Sequence, residues 1–113
     1  MARLSTHVLD TANGRPAAGM RVRLYVCEPR GLAETVWTNA KGRAEFAGDA
    51  FAPGVYELVF SVADYFVPSG NAAGDTEPFL GEVVVRFGVA SAEADYHVPL
   101  LVSPYGYTTY RGS

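Results

Sequence analysis

A chain of 113 residues, 49% hydrophobic and 19% charged, suits a single globular domain that buries about 60 to 70% of its unfolded-chain surface without disulfide or metal staples. Its net charge of -3 offers no basic footprint for nucleic acid, and its one cysteine, Cys27, excludes an intrachain disulfide. No stretch approaches the roughly 18 uninterrupted apolar residues of a membrane helix, and residues 1–7 turn polar before any signal-peptide core, so a cytoplasmic protein without a membrane partner is expected.

Ser5 to Asp10 reads as a short strand carrying His7, and Asn13-Gly14-Arg15-Pro16 supplies turn chemistry. From Met20 to Cys27, Met20, Val22, Leu24 and Val26 alternate with Arg21, Arg23, Tyr25 and Cys27, which predicts a strand with one face in the core. Glu28-Pro29-Arg30-Gly31 breaks the pattern, and an extended run resumes over Glu34 to Thr38. Asn39-Ala40-Lys41-Gly42 then turns the chain so that Arg43 opens the next strand.

Pro53-Gly54 introduces a strand from Val55 to Val62, with Tyr56, Leu58, Phe60 and Val62 on one face. Ala63 to Val67 reads as a single helical turn before Pro68, and Ser69 to Pro78 as a loop. Glu82 to Val89 is again a strand, with Val83, Val85, Phe87 and Val89 sharing a face. Val98 to Val102, the turn Ser103-Pro104-Tyr105-Gly106 and the return Tyr107 to Tyr110 form a closing hairpin. About eight short strands at this spacing predict an all-β sandwich with at most one short helix, residues 1–113 forming one domain.

Taken one at a time, the chemistry-bearing residues have bland readings. A lone histidine on a strand is by default structural, and nothing in the spacing of His7 and His97, the only two histidines, shows that they meet. Arg43 is by default a solvated residue at a strand end. Ser113 lies outside any nucleophile-elbow pattern and reads as a hydrogen-bonding group. Two histidines without a cysteine or carboxylate cluster make a poor zinc site, so neither metal nor cofactor is expected. Ser69 to Gly74 lacks the lysine of a phosphate loop. Cys27 reads as an inert packing residue, and Trp37, Tyr56 and Phe60 as core aromatics.

Three separated motifs change the weighting. His97-Val98-Pro99-Leu100-Leu101 with Ser103-Pro104-Tyr105-Gly106-Tyr107-Thr108-Thr109-Tyr110-Arg111-Gly112-Ser113 closely resembles the C-terminal signature of 5-hydroxyisourate hydrolases, the transthyretin-like enzymes of urate breakdown. Leu4-Ser5-Thr6-His7-Val8-Leu9-Asp10 with Gly14-Arg15-Pro16-Ala17, and Thr38-Asn39-Ala40-Lys41-Gly42-Arg43, match in the same order. Lys41 stands where an acidic or small residue is commoner, and Gly81 where proline is expected.

The resemblance implies a transthyretin-like sandwich of seven to eight strands, assembled as a homotetramer, a dimer of dimers with active sites in the channel between dimers. It implies hydrolysis of the cyclic amide of 5-hydroxyisourate without a cofactor, in purine degradation. His7, Arg43, His97 and Ser113 would form the catalytic set, one histidine serving as general base; Tyr110 and Arg111, with His7 and Arg43, would bind substrate. Arg111 has a second reading, as partner of the C-terminal carboxylate. Histidine suits acid-base work near neutrality, and the planar fork of arginine suits a flat, carbonyl-rich ring. The alternative is a transthyretin-type carrier that binds a small aromatic ligand without chemistry. A structural adhesion module would call for a signal peptide or tandem copies.

Overall fold

The computed structural model describes residues 3–47, 52–69 and 77–112. Strands β1 (Leu4–Asp10), β2 (Arg15–Pro16), β3 (Arg21–Cys27), β4 (Arg30–Trp37), β5 (Arg43–Glu45) and β6 (Gly54–Phe60) precede one short helix, α1 (Val62–Phe66), and a 3-10 turn over Val67–Ser69. Strands β7 (Val83–Val89), β8 (Tyr96–Ser103) and β9 (Gly106–Thr109) follow. They form two sheets, one in the order β2-β1-β8-β9 with β5 also on β1, the other in the order β4-β3-β6-β7.

Period-2 alternation sets what lies between the sheets, as predicted for β3 and β6. Leu4, Thr6, Val8 and Asp10 of β1 point inward, as do Val22 and Leu24 of β3, Tyr56, Leu58 and Phe60 of β6, and Val98, Leu100 and Val102 of β8. Val62 and Phe66, one helical turn apart, close the core from α1. The Gly81 carbonyl accepts the Ala63 N–H at 2.9 Å, which needs only a backbone oxygen there.

The structure refines the chain-order reading in three places. The predicted turn at Arg15-Pro16 also pairs with Leu9 and Asp10 as the two-residue β2. Strand β4 starts at Arg30, pairing back to Cys27 across the Glu28-Pro29 turn, although its first four residues are exposed on a sheet edge. Trp37 is not a core aromatic: it is 61% exposed. Its neighbour Thr38 takes the interior position because its hydroxyl accepts the Met20 N–H at 2.9 Å and donates to the Ala17 carbonyl at 2.5 Å, which turns Trp37 outward. Residues 70–76 of the predicted loop, and Ser113, lie outside the described residues.

Asp10 anchors the far end of β1. Its buried carboxylate accepts hydrogen bonds from Asn13 N–H and Nδ2 at 2.9 and 2.8 Å and from the Tyr65 hydroxyl of α1 at 2.8 Å. Burial pushes its pKa up, but the bonds from the Asn13 side chain, Tyr65 and the backbone outweigh it and hold the pKa below the ordinary 3.8. The carboxylate therefore contributes stability that is present above that value and lost as pH falls through the folded one. Asp10→Ala should cost about 1–3 kcal/mol at pH 7, since it removes charge-assisted hydrogen bonds to Asn13 and the half-buried Tyr65 hydroxyl. Denaturant midpoints of wild type and variant should converge as the pH is lowered; a gap independent of pH would refute the ionised role.

Candidate active site

Three segments meet on the outer face of the sheet that contains β1. The turn before Arg43 is built by Asn39, whose side-chain oxygen accepts the N–H groups of Lys41 and Arg43 at 2.9 and 3.0 Å, while its own N–H donates to the Arg43 carbonyl at 2.8 Å. Gly42, at φ 75°, hands its carbonyl to Val8 N–H at 2.8 Å, and a side chain there would overlap the Val8 carbonyl. Arg43 is thus delivered opposite His7 in the β1–β5 register.

On the other side of β1 the parallel strand β8 sets Ser5 opposite His97 and His7 opposite Pro99. Ser5 and His7 alternate with buried Leu4, Thr6 and Val8, and His97 with buried Tyr96 and Val98, so all three face outward with Arg43. Neighbouring strands lie about 5 Å apart and same-face residues about 7 Å apart, which makes His7 a diagonal neighbour of His97.

His97 is the most constrained of the group. Its Nδ1 is 2.8 Å from the Ser5 hydroxyl. Gly112, paired with His97 as an isolated bridge, donates its N–H to the His97 carbonyl at 2.8 Å. A Cβ on Gly112 would stand 2.5 Å from His97 Cδ2, so the backbone lies directly against the ring. Burial lowers the His97 pKa, and the charges of Arg43 and then His7 lower it further, all three favouring the neutral imidazole.

Arg111 stacks its guanidinium 4.5 Å over the Tyr96 ring and donates to the Asp95 carbonyl at 3.4 Å. It lines both cavities at the site. The larger, about 1250 Å³ and open, is walled by Arg43, His97, Arg111, Trp37, Arg3 and Glu45 among others. The smaller, about 270 Å³, is walled by His97, Thr109, Tyr110 and Arg111 with residues of β7. Three arginines against Glu45 and Asp95 give the larger cavity a cationic bias suited to a partly anionic, carbonyl-rich guest.

The fold therefore gathers His7, Arg43 and His97 on one face, with Arg111 and the half-exposed Tyr110 at its rim. His7 is adjacent but not on the wall of the larger cavity, and Tyr110 lines only the smaller one. Among the described residues no three of His, Cys, Asp and Glu form a group that could hold a metal ion. Sequence reasoning missed Ser5, Trp37 and Glu45. Period-2 alternation already placed Ser5 on the face of His7, but its partner is 92 positions away.

The chain matches the HIUase/Transthyretin family over residues 4–112. It belongs to that family. The 5-hydroxyisourate hydrolase 2 of Rhizobium meliloti (strain 1021) is 54% identical over 116 residues, covering 98% of this chain and 96% of that one. The structure of Klebsiella pneumoniae 5-hydroxyisourate hydrolase superposes with a TM-score of 0.84 at 33% identity and covers all of both chains. Sea bream transthyretin in complex with thyroxine gives a TM-score of 0.84 at 25% identity, over 96% of this chain and 93% of that one. The all-β sandwich is common to the family's enzymes and carriers, so the side chains on the outer face must discriminate between them.

Two measurements check this geometry. Gly112→Ala should lower activity at least about tenfold, since displacing a positioned group by about 1 Å is costly, while leaving the melting temperature nearly unchanged. An NMR titration should place the His97 midpoint below the ordinary 6.5, and Arg43→Gln should raise it; a midpoint above 6.5 would contradict the burial and charge read here.

Proposed function

We propose that this chain is a 5-hydroxyisourate hydrolase that opens the cyclic amide of its substrate to give 2-oxo-4-hydroxy-4-carboxy-5-ureidoimidazoline. The observation that carries the reading is the meeting of His7, Arg43 and His97 on one open face, in a chain 54% identical to a relative of that name. Water adds to the ring carbonyl as one histidine takes its proton. Negative charge collects on the carbonyl oxygen, where Arg43 and the second histidine stabilise it. When the intermediate collapses, the C–N bond breaks and the protonated histidine returns its proton to the departing nitrogen.

Arg43 supplies donors that recognise adjacent carbonyls in one plane, which an ammonium cannot match. Tyr110 and Arg111 at the rim hold the substrate, and Ser113 completes the catalytic set as a hydrogen-bonding group. No cofactor enters this scheme. Residues 1–113 act as one domain, in the cytoplasm; among the described residues no helix is long and apolar enough to cross a membrane. The working form is a homotetramer, a dimer of dimers, whose channel closes the open side of the cavity.

The deciding experiment mixes the protein with freshly generated 5-hydroxyisourate and follows its ultraviolet decay against the spontaneous rate. Decay no faster than in buffer, together with tight thyroxine binding, would favour the carrier reading that the sea bream protein motivates. His7→Asn and His97→Asn should each cut turnover by about 10² or more, as loss of an acid-base group does. Arg43→Lys keeps the charge but loses the fork, so KM should rise several-fold; an unchanged KM would reduce Arg43 to a general electrostatic role.

A further inference from the structure

Ser5 belongs to none of the roles above, yet among the described residues it is the one side chain hydrogen-bonded to the His97 ring. The contact is between β-strands that pair in parallel with Ser5 directly opposite His97, so it is fixed by the sheet rather than by a loop. The Ser5 hydroxyl has one proton to give, and among the described residues its only hydrogen-bond partner is His97 Nδ1. Glu45 stands across from Ser5 in the β1–β5 register, but the two make no hydrogen bond, and the Glu45 carboxylate is exposed and 3.9 Å from Arg3. If Ser5 accepted from Nδ1–H instead, its own proton would have no acceptor among the described residues. Donation to Nδ1 satisfies both groups.

We propose that Ser5 is a positioning residue: its hydroxyl donates to His97 Nδ1, holds the ring as the Nε2–H tautomer, and so makes His97 the donor to the substrate oxygen, leaving His7 as the general base. This rests on the hydrolase reading and divides the work of its two histidines. Gly112 packs its backbone against Cδ2 on the other side, and a ring flip would set that carbon, which cannot accept a hydrogen bond, toward the Ser5 hydroxyl. Among the described residues, the charged and titratable groups around the ring are Arg3, Asp95, Tyr96 and Arg111 on the cavity wall, Tyr110 beside them, Arg43 and Glu45 on β5, and His7 on β1. The cations among them oppose a second proton on His97, which keeps it a neutral donor. His7, to which Ser5 is not hydrogen-bonded, takes the proton of water; the oxygen of that water forms the new C–O bond while charge moves to the carbonyl oxygen facing His97 Nε2–H and Arg43.

The test reads the tautomer directly. Long-range proton–nitrogen spectra of the uniformly nitrogen-15-labelled full chain, without substrate, should show His97 protonated at Nε2 in wild type and in Ser5→Thr. Ser5→Ala should lose this preference. Its kcat should fall about 10- to 100-fold, the range seen when an oriented metal-bound histidine loses its outer hydrogen-bond partner, with KM little changed and Ser5→Thr restoring most of the rate. His97 protonated at Nδ1 in wild type, or a wild-type kcat in Ser5→Ala, would overturn the proposal. Should Ser5→Ala fail to fold, the wild-type tautomer still decides it. A wild type that shows the Nε2–H tautomer but does not accelerate 5-hydroxyisourate decay would sink the hydrolase reading alone.

Discussion

The site depends on the register of one parallel strand pair. Strands β1 and β8 set Leu4 opposite Tyr96 and Asp10 opposite Val102, and a slip of one residue would turn His97 into the core and move it off Ser5. Two threonines resist that slip. Thr6, buried, donates its hydroxyl to the Val98 carbonyl at 2.6 Å, and Thr11 reaches the Val102 carbonyl with its hydroxyl at 3.0 Å and its N–H at 2.9 Å. The inward residues Val8, Leu100 and Val102 oppose it as well, because a slip would expose them to water. Pairing strands this far apart in sequence is slow to form, but once formed it brings chemistry from both ends of the chain to one surface.

Around that register the outer face reads as a small grid. Across the strands run His97, Ser5 and Glu45, and one step along lie Pro99, His7 and Arg43. Partial burial of His97 discourages its protonation, and the Arg43 cation beside it acts in the same direction. A surface built only to attract anions would do better with the histidines charged. A neutral His97 imidazole beside a fixed guanidinium is instead suited to meeting one developing negative charge.

Much of this was legible in the sequence where alternation is strict. Strands β3 and β7 follow their predicted faces, β6 does so as far as Phe60, beyond which the predicted strand residue Val62 opens α1 instead, and the turn before Arg43 is readable from Asn39 and Gly42 alone. Alternation is silent where polarity does not alternate: Val36 and Trp37 are adjacent, both apolar, and only the pairing of Thr38 with Met20 and Ala17 decides which faces water. The grouping of His7, Arg43 and His97 was suggested by family resemblance and not by any spacing, since each lies on a different strand. Ser5 has no role legible in the sequence, because a serine on a strand gains meaning only from the residue that a distant strand sets beside it.

The closing hairpin shows how little freedom the arrangement has. Ser103 pairs with Gly106 across a two-residue loop, Leu100 pairs with Thr109, and the same register carried onward brings Gly112 opposite His97. The length of that return is therefore matched to the histidine, because only the residue without a side chain fits against the ring and Pro99. One residue more in the return would set Arg111 there and force the strand away from β8; one fewer would bring up Ser113. The segment that follows β9 thus acts on the same imidazole that Ser5 holds from β1. With Nδ1 engaged and Cδ2 covered, Nε2 is the one ring nitrogen left to meet a guest, and its orientation is set before any guest arrives.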